Sequence, residues 1–282
     1  MSTEQALILI RRSVIGAALV LAVIGNALGL ATIVIDHHRP FDWDNYVEAA
    51  RRFPLGTLYD WRPPYSFSYA PQVAPLLEVL TAIGIAAWRA AHVVALAFLP
   101  SRRLALLLLV SFPFWADVNN GNLMVFVLLA AAWAYRGNPI ATGIYLALGL
   151  LIPRPIMLPL LAWLLWQRPG WRWPFVVMAV VVVLTAIPTG YLSDWLASFA
   201  QSGAKDIAND FNLSPSRFLG VWWLLIGLPL AAWLTLRGRL GWASMAVSPY
   251  LLPYWLQMLG LELVRPQDRK SRATSLSASL IE

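Results

Sequence analysis

Residues 36–69 read DHHRPFDWDNYVEAARRFPLGTLYDWRPPYSFSY and form the first long polar stretch of the chain. This stretch contains five of the fourteen carboxylates and two of the three histidines. The segments before and after it are apolar and long enough to form helices. We therefore expect residues 36–69 to be a loop at the surface of a membrane, where chemistry can take place, held in position by the rest of the chain.

The composition is that of a membrane protein. Hydrophobic residues make up 59% of the chain, charged residues only 12%, and the mean hydropathy is +0.64, whereas a soluble domain has about 25% charged residues. The chain has no cysteine, which excludes disulfides and thiolate chemistry. Its net charge of +7 lies in short loops between apolar runs, so we expect membrane lipids rather than nucleic acid as partners.

Residues 13–35 carry no charge and are predicted to cross the membrane once. At 1.5 Å per residue this run spans the roughly 30 Å of a bilayer core. A cleaved signal peptide is the competing interpretation, but the run is too long and lacks a small-x-small site before Asp36. Because Arg11 and Arg12 precede the run, the N-terminus is predicted to be cytoplasmic and the 36–69 loop external.

The remaining loops fall into two sets. Arginine-rich loops assigned to the cytoplasm lie at 101–103, 136–138, 167–173 and 237–239. Polar elements assigned to the opposite face lie at 36–69, 117–122, 153–155 and 189–217. An excess of arginine on one side is the positive-inside asymmetry of plasma-membrane proteins. We expect a multi-pass protein of the cell membrane whose polar elements face outward.

The apolar runs between these loops predict the fold class. Several are about 12 to 15 residues long, too short for a full crossing, so we expect half-helices that end in protein or at a water-filled cavity. The sequence leaves open whether residues 70–99 form one long helix or two short ones. The prediction is an all-α bundle of about 8 to 10 full and half transmembrane helices, with one domain over residues 1–264 and a polar basic tail at 265–282.

Residues 41–53, FDWDNYVEAARRF, are predicted to form a helix lying at the membrane interface. Asp42 or Asp44 can cap its N-terminus, and its aromatic residues can anchor it among headgroups. Alternatively, this carboxylate pair acts as a general base or binds an ion. His37 and His38 lack a third ligand at zinc spacing, so no metal site is expected.

The run DWDNYVEAARRFPLGTLY, followed by FSYAP at 67–71, resembles the first extracytoplasmic loop of polyprenol-phosphate-sugar-dependent glycosyltransferases of the GT-C class. The particular resemblance is to the bacterial mannosyltransferase-like group GT87, or DUF2029. Gly121-Asn122 matches the family's G-Q-x-N motif, with Asn122 in place of glutamine. Residues 141–155 match its A-G-x-x-x-G-L-A…K-P run, with Arg154 in place of lysine. SPYLLPYW at 248–255 resembles its S-P…Y ending, so the resemblance covers most of residues 36–260.

The resemblance implies a GT-C-like fold and an inverting hexosyltransferase. Such an enzyme moves a sugar, mannose first among the candidates, from a polyprenyl-phosphate donor to a lipid or glycan acceptor on the extracytoplasmic face, with no cofactor. Asp42 is implied as the general base, and Asp44 is the second choice. The donor phosphate is expected at Arg154, with Arg51, Arg52 and Arg62 as helpers. The residues expected to contact substrate are Trp43, Tyr46, Tyr69, Asp117, Asn119 and Asn122.

Plainer roles stay open for several of these residues. Arg154 can be an interfacial arginine whose charge reaches the headgroups, and Asp117 can cap the helix that follows it. A transporter or flippase for a lipid-linked sugar is a second functional class, with Glu78, Arg89 and His92 inside apolar stretches as its signal. Carboxylates concentrated at the outer mouth favour the enzyme. A non-catalytic membrane scaffold is the third class.

Overall fold

The computed structural model describes residues 41–60, 65, 67–207 and 212–264, together with residues 20 and 24. These residues contain helices and no strand, which confirms the predicted helical class. The α-helices are Phe41–Arg52, Val73–Ala82, Ile85–Ala97, Arg102–Leu109, Phe112–Asn120, Met124–Tyr135, Pro139–Leu151, Leu158–Gln167, Arg172–Ala186, Leu192–Ile207, Ser216–Leu219, Trp223–Leu236 and Leu240–Val247. The 3₁₀ helices are Phe53–Leu55, Pro155–Met157, Pro169–Trp171, Ile187–Thr189, Gly220–Trp222 and Pro253–Leu263. Nearly all of the predicted anchor at 13–35, as well as Arg62 and the tail at 265–282, lies outside the described residues.

Within the part of the chain that the structure describes, two helical stretches are long and apolar enough to cross a membrane. They are Pro169–Thr189 and Ser216–Leu236, each with 21 residues and a hydropathy of 1.8. In the most apolar 18 residues of each stretch, only 6% and 11% respectively are buried against the rest of the protein. Leu184 and Leu225 are 58% and 69% exposed on them, and a surface so apolar needs a lipid environment. These are the features of a helical membrane protein.

A third span is present if a broken pair of helices counts as one. Val73–Ala82 and Ile85–Ala97 meet at 101°, which settles the question that the sequence left open at residues 70–99 in favour of two helices. Gly84 connects them with φ 82° and ψ 156°, a backbone conformation that only glycine adopts readily. The total number of crossings stays a prediction.

The core is built around a helix that is apolar on all sides. Met124–Tyr135 buries nine of its twelve residues, as expected for a helix at the centre of a bundle. Phe41–Arg52 is instead amphipathic and buries Trp43, Tyr46 and Ala49, three residues apart along one face. This face packs in a second, aromatic-rich core cluster, so the helix is fixed onto the rest of the protein.

Long-range hydrogen bonds gather the loops at two ends of the helices. The arginine end comprises residues 100–103, 136–138, 167–172 and 237–239, and the polar end comprises residues 41–60, 67–72, 117–122, 152–155, 189–191 and 248–255. At the arginine end, the Arg136 guanidinium donates to the Pro100 carbonyl at 3.0 Å, and the Tyr135 hydroxyl donates to the Gly238 carbonyl at 3.3 Å. At the polar end, Tyr191 donates to the Phe53 carbonyl at 2.8 Å. Because Met124–Tyr135 begins at the polar end and finishes at the arginine end, the ends are opposite each other.

Candidate functional site

Asp42 is the centre of the candidate site. It lies in the first turn of the Phe41–Arg52 helix, and its carboxylate Oδ2 accepts a hydrogen bond of 2.8 Å from Asn122 Nδ2. The hydroxyl of Tyr254 is a second hydrogen-bond partner, and the Arg154 guanidinium acts on the same carboxylate through its charge. Four segments that are far apart in the sequence therefore meet at one acidic group.

Burial changes the acidity of this group. It raises the pKa of the Asp42 carboxyl from 3.8 to about 6, and the charge of Asp117 acts in the same direction. Hydrogen bonds from Asn122 and Tyr254, together with the charge of Arg154, oppose the rise in pKa. A carboxylate with this pKa is mostly ionised at pH 7 and is a stronger base than an ordinary aspartate. The site can therefore accept a proton at neutral pH.

Asp44 does not join this site. It is exposed, and two residues along a helix turn a side chain by about 200° away from its neighbour. The structure therefore does not support an equal carboxylate pair, whether for proton transfer or for an ion. Asp42 alone of the two predicted aspartates faces the interior.

Arg51 and Arg52 serve the loop rather than the Asp42 site. Both bind Glu48, at 2.7 Å and 2.6 Å respectively, and hydrogen bonds from Arg51 first and Arg52 second lower the pKa of Glu48 to about 2. Arg52 also donates to the Asp60 carbonyl at 2.7 Å and lies 4.3 Å over the ring of Tyr65. These contacts fasten the loop onto its helix, so the structure assigns the two arginines a structural role in place of the predicted phosphate contact.

Arg154 lies where the prediction needs a cation. A proline follows it and restricts its backbone to an extended conformation, which it adopts with φ −118° and ψ 135°. Its guanidinium carbon is 5.4 Å from the ring centre of Tyr69 and 6.0 Å from that of Trp255. Cation–π contacts of this kind orient the guanidinium.

Arg154 also lines a cavity of about 310 Å³. The other lining residues are Ser68, Gly149, Pro153, Pro155, Met157, Leu158, Leu161, Phe199, Pro249, Tyr250 and Trp255. Most of these side chains are apolar, and two are large aromatic groups on the wall formed by residues 249–255. A cavity of this character suits an apolar chain that carries an anionic group at one end.

Asp117 has a capping role that the sequence analysis kept as an alternative. It is completely buried, and its carboxylate accepts hydrogen bonds from the backbone N–H groups of Met124 at 3.3 Å and Val125 at 2.8 Å. It thereby stabilises the N-terminus of the central helix. Asn119 is near Asp117 in sequence, and its backbone carbonyl accepts a hydrogen bond from Arg89 at 3.2 Å.

The predicted substrate-contacting aromatics are packed inside the protein. Trp43 lies 6.4 Å from Trp88, and Tyr46 lies 6.3 Å from Tyr69, measured between ring centres. All four are less than a tenth exposed. They support the Asp42 helix from beneath, which differs from the headgroup anchoring that the sequence also allowed.

The transporter hypothesis allowed an ion pair between Arg89 and Glu78, but the two side chains do not form one. Its guanidinium donates to the carbonyls of Val118 and Asn119, whereas Glu78 is exposed on the Val73–Ala82 helix. Sequence reasoning missed Tyr254 as a member of the site, and it missed the contact of His92 Nε2 with the Asn122 carbonyl at 2.8 Å. The run SPYLLPYW carried the only signal for Tyr254, and a histidine in an apolar stretch was the signal for His92.

The described residues thus define a helical membrane protein with a partly buried carboxylate, an amide and a guanidinium gathered at one end. Comparison of the chain with protein-family models, with curated proteins and with solved structures finds no match. The resemblance to the GT87 group stays a prediction that depends on the motifs alone.

Proposed function

We propose that the protein transfers a sugar from an isoprenoid-phosphate donor to a hydroxyl acceptor at its polar end. The observation that carries the proposal is the meeting of the Asp42 carboxylate and the Arg154 guanidinium beside an apolar cavity. One group can take a proton, one can bind a phosphate, and the cavity can hold a lipid chain.

Asp42 is the base of the proposed reaction. Its carboxylate takes the proton of the acceptor hydroxyl while the hydroxyl oxygen attacks the anomeric carbon of the donor sugar. The bond between that carbon and the phosphate oxygen breaks on the opposite face, and the lipid phosphate leaves with the electron pair. Attack from the opposite face inverts the anomeric configuration. Because phosphate is a good leaving group, the reaction needs no second carboxylic acid, and the outward position of Asp44 is no obstacle.

Arg154 is the donor-binding residue of the proposal. A guanidinium can form two parallel hydrogen bonds to a phosphate, and its charge stabilises the negative charge that grows on the leaving group. The stacking on Tyr69 and Trp255 holds it at the cavity wall before the donor arrives. This preorganisation reduces the cost of binding.

The position of the site relative to the membrane is also part of the proposal. We infer from the arginine asymmetry that the polar end faces the exterior of the cell membrane and that the arginine end faces the cytoplasm. A lipid-linked donor needs no nucleotide and can be used on that side. The acceptor is a lipid or glycan hydroxyl.

The experiment compares Asp42→Asn with Asp44→Asn in purified protein reconstituted in nanodiscs. Asparagine keeps the size and capping ability of aspartate but cannot take a proton at neutral pH. With a polyprenyl-phosphate mannose donor, Asp42→Asn is expected to lose roughly 10²-fold or more of the transfer rate, the usual contribution of a general base. Asp44→Asn, on the same helix and exposed, is the matched control and is expected to stay close to the original rate. Full activity in Asp42→Asn removes Asp42 as the base.

A further inference from the structure

His92 is a buried titratable residue that the proposed reaction does not use. It lies on the Ile85–Ala97 helix with no exposed surface. The rings of Trp88 and Phe126 each lie 5.0 Å from its own ring, measured between centres. A polar ring in such surroundings is costly unless both of its nitrogen atoms are hydrogen-bonded.

Both nitrogens of His92 face atoms that can only accept a hydrogen bond. Nδ1 is 2.8 Å from the carbonyl oxygen of Trp88, and Nε2 is 2.8 Å from the carbonyl oxygen of Asn122. A neutral imidazole has one N–H group and one lone pair. In that form, one lone pair would lie against a carbonyl oxygen at 2.8 Å. The doubly protonated ring donates to both oxygens and removes this repulsion.

The neighbouring carboxylate supplies the opposite charge. Asp117 Oδ2 is 3.9 Å from His92 Nε2, and both side chains are completely buried. Burial raises the pKa of Asp117, whereas the charge of His92, a hydrogen bond from Gln257 and the backbone N–H groups of Val125 and Met124 at the start of a helix oppose the rise. These amides and the helix dipole favour an ionised carboxylate there.

We infer that His92 is a doubly protonated imidazolium, paired with Asp117, and that it positions Asn122 against Asp42. The groups around the ring are the Asp117 carboxylate, the carbonyls of Trp88 and Asn122, and the aromatic rings of Trp88 and Phe126. No second basic side chain is among these contacts of the described residues. His92 is a positioning residue, because Asn122 lies between it and Asp42.

Asn122 transmits the effect through two different groups. Its backbone carbonyl receives the hydrogen bond from His92, while its side-chain Nδ2 donates to Asp42. Its side-chain oxygen is occupied by the backbone N–H of Leu123, so the amide group is fixed with its NH₂ toward the carboxylate. The backbone N–H of Asn122 also donates to the Asp117 carbonyl at 3.1 Å. Loss of the imidazolium removes the second backbone contact of Asn122 and weakens the hydrogen bond that holds the pKa of Asp42 down.

Nitrogen NMR tests the protonation state without any assay of activity. The chain has three histidines, so ¹⁵N-histidine labelling of the His37→Asn/His38→Asn protein gives the signal of His92 alone. At pH 8, where a solvated histidine is neutral, we expect both ring nitrogens to show directly bonded protons. A signal from an unprotonated ring nitrogen would overturn the inference. Asp117→Asn is expected to produce that neutral signal, and the conservative Asp117→Glu to keep the imidazolium.

The positioning role rests on the proposed transfer reaction and has its own readout. His92→Gln is expected to lower kcat roughly tenfold, the size of effect that follows from loss of one hydrogen bond, with little change in the donor KM. The acidic limb of its pH–rate profile should move to higher pH, because the Asn122 hydrogen bond no longer lowers the pKa of Asp42. An unchanged kcat and pH profile would refute the positioning role. If the protein transfers no sugar at all, the proposed function fails while the NMR result still decides the charge on His92.

Discussion

The two ends of the molecule use arginine for different purposes. At the polar end, Arg154 lies over two aromatic rings at the edge of a cavity and acts on the Asp42 carboxylate. At the arginine end, Arg136 and Arg168 donate to the backbone carbonyls of Pro100 and Tyr135, at 3.0 Å and 3.4 Å. The first arrangement places a guanidinium at the wall of a cavity. The second supplies hydrogen-bond donors to backbone carbonyls at the ends of helices. Arg136 and Arg168 also lie near the rings of Trp133 and Trp163, so the feature that distinguishes Arg154 is the cavity that it lines.

The acidic groups are distributed just as unequally. Among the described residues of the polar end, Asp42 and Asp117 are enclosed by donors. The arginine end carries Arg102, Arg103, Arg136, Arg168, Arg172, Arg237 and Arg239. Glu262, which binds Arg239 at 2.7 Å, is the carboxylate that the structure places against this end. Such an imbalance orients a protein in a membrane and leads to the first prediction.

The largest expected effect is all-or-none labelling of the two ends. The chain has no cysteine, so Leu55→Cys at the polar end and Gly170→Cys at the arginine end each introduce a unique thiol. Leu55 is 62% exposed, and Gly170 has open space around it. In intact cells, a membrane-impermeant reagent is expected to label the first protein and not the second. Labelling with the opposite pattern would reverse the proposed orientation, and permeabilised cells give the control in which both react.

The second prediction separates the two arginine arrangements. Arg154→Gln is expected to weaken donor binding by about 1.5 to 3 kcal/mol, or roughly 10-fold to 150-fold, because a neutral amide cannot replace a charge-assisted hydrogen bond to phosphate. Arg154→Lys should keep part of the affinity. The matched control is Arg168→Gln, whose loss should leave donor affinity nearly unchanged. Donor titration of the reconstituted protein measures all three, and equal effects at 154 and 168 would remove the distinction between the ends.

The sequence predicted the parts of this comparison that depend on local pattern. The run FDWDNYVEAARRF predicted a helix, which the structure has at Phe41–Arg52. The sequence analysis treated its aromatic residues as interface anchors or substrate contacts, and it did not separate the inward Asp42 from the exposed Asp44. The pairing of Arg51 and Arg52 with Glu48 was also within reach, because spacings of three and four residues place side chains next to each other on a helix. The phosphate role expected for these arginines overlooked that local pairing.

The remaining parts of the site depend on contacts between distant segments. Nothing near Asp42 in the sequence indicates that Tyr254 binds it, since more than two hundred residues separate them. The double acceptor environment of His92 similarly arises only when the Asn122 carbonyl comes into contact with its helix. The break at Gly84 could be predicted only in part. A glycine in an apolar run allows a helix to break, but the angle of 101° between Val73–Ala82 and Ile85–Ala97 is set by packing.

The third prediction concerns the cost of keeping a base buried. The pKa of Asp42 rises from 3.8 to about 6 on folding, so the folded protein binds more protons than the unfolded chain between these values. Stability therefore falls as the pH rises from about 4 to about 6. Because Asp42 is partly exposed, we expect about 1 to 2 kcal/mol rather than the full value of the shift.

Asp42→Asn should remove this pH dependence. Its melting temperature in detergent at pH 7 is expected to exceed that of the original protein, and the difference should shrink toward pH 4. Asp44→Asn, which changes an exposed aspartate, is the control and should follow the original protein. A melting temperature for Asp42→Asn below that of the original protein at pH 7 would contradict the inference that the ionised Asp42 carboxylate destabilises the folded protein.

The smallest expected effect compares one carboxylate from each end. Glu48 forms ion pairs with the exposed Arg51 and the largely buried Arg52, and an exposed pair contributes about 0 to 1 kcal/mol. Glu262 pairs with Arg239 and also accepts the backbone N–H of Gly241 at 3.0 Å, so it caps the Leu240–Val247 helix, a contact that contributes about 1 kcal/mol more. Glu262→Ala, which removes the ion pair and the cap together, should therefore lower the melting temperature more than Glu48→Ala does. High salt should reduce the Glu48→Ala difference by screening the pair with Arg51, and it should leave much of the difference for Glu262→Ala, because the hydrogen bond from the Gly241 N–H remains. A larger loss at Glu48 would mean that the loop it fastens, and not the arginine end, limits the stability of the protein.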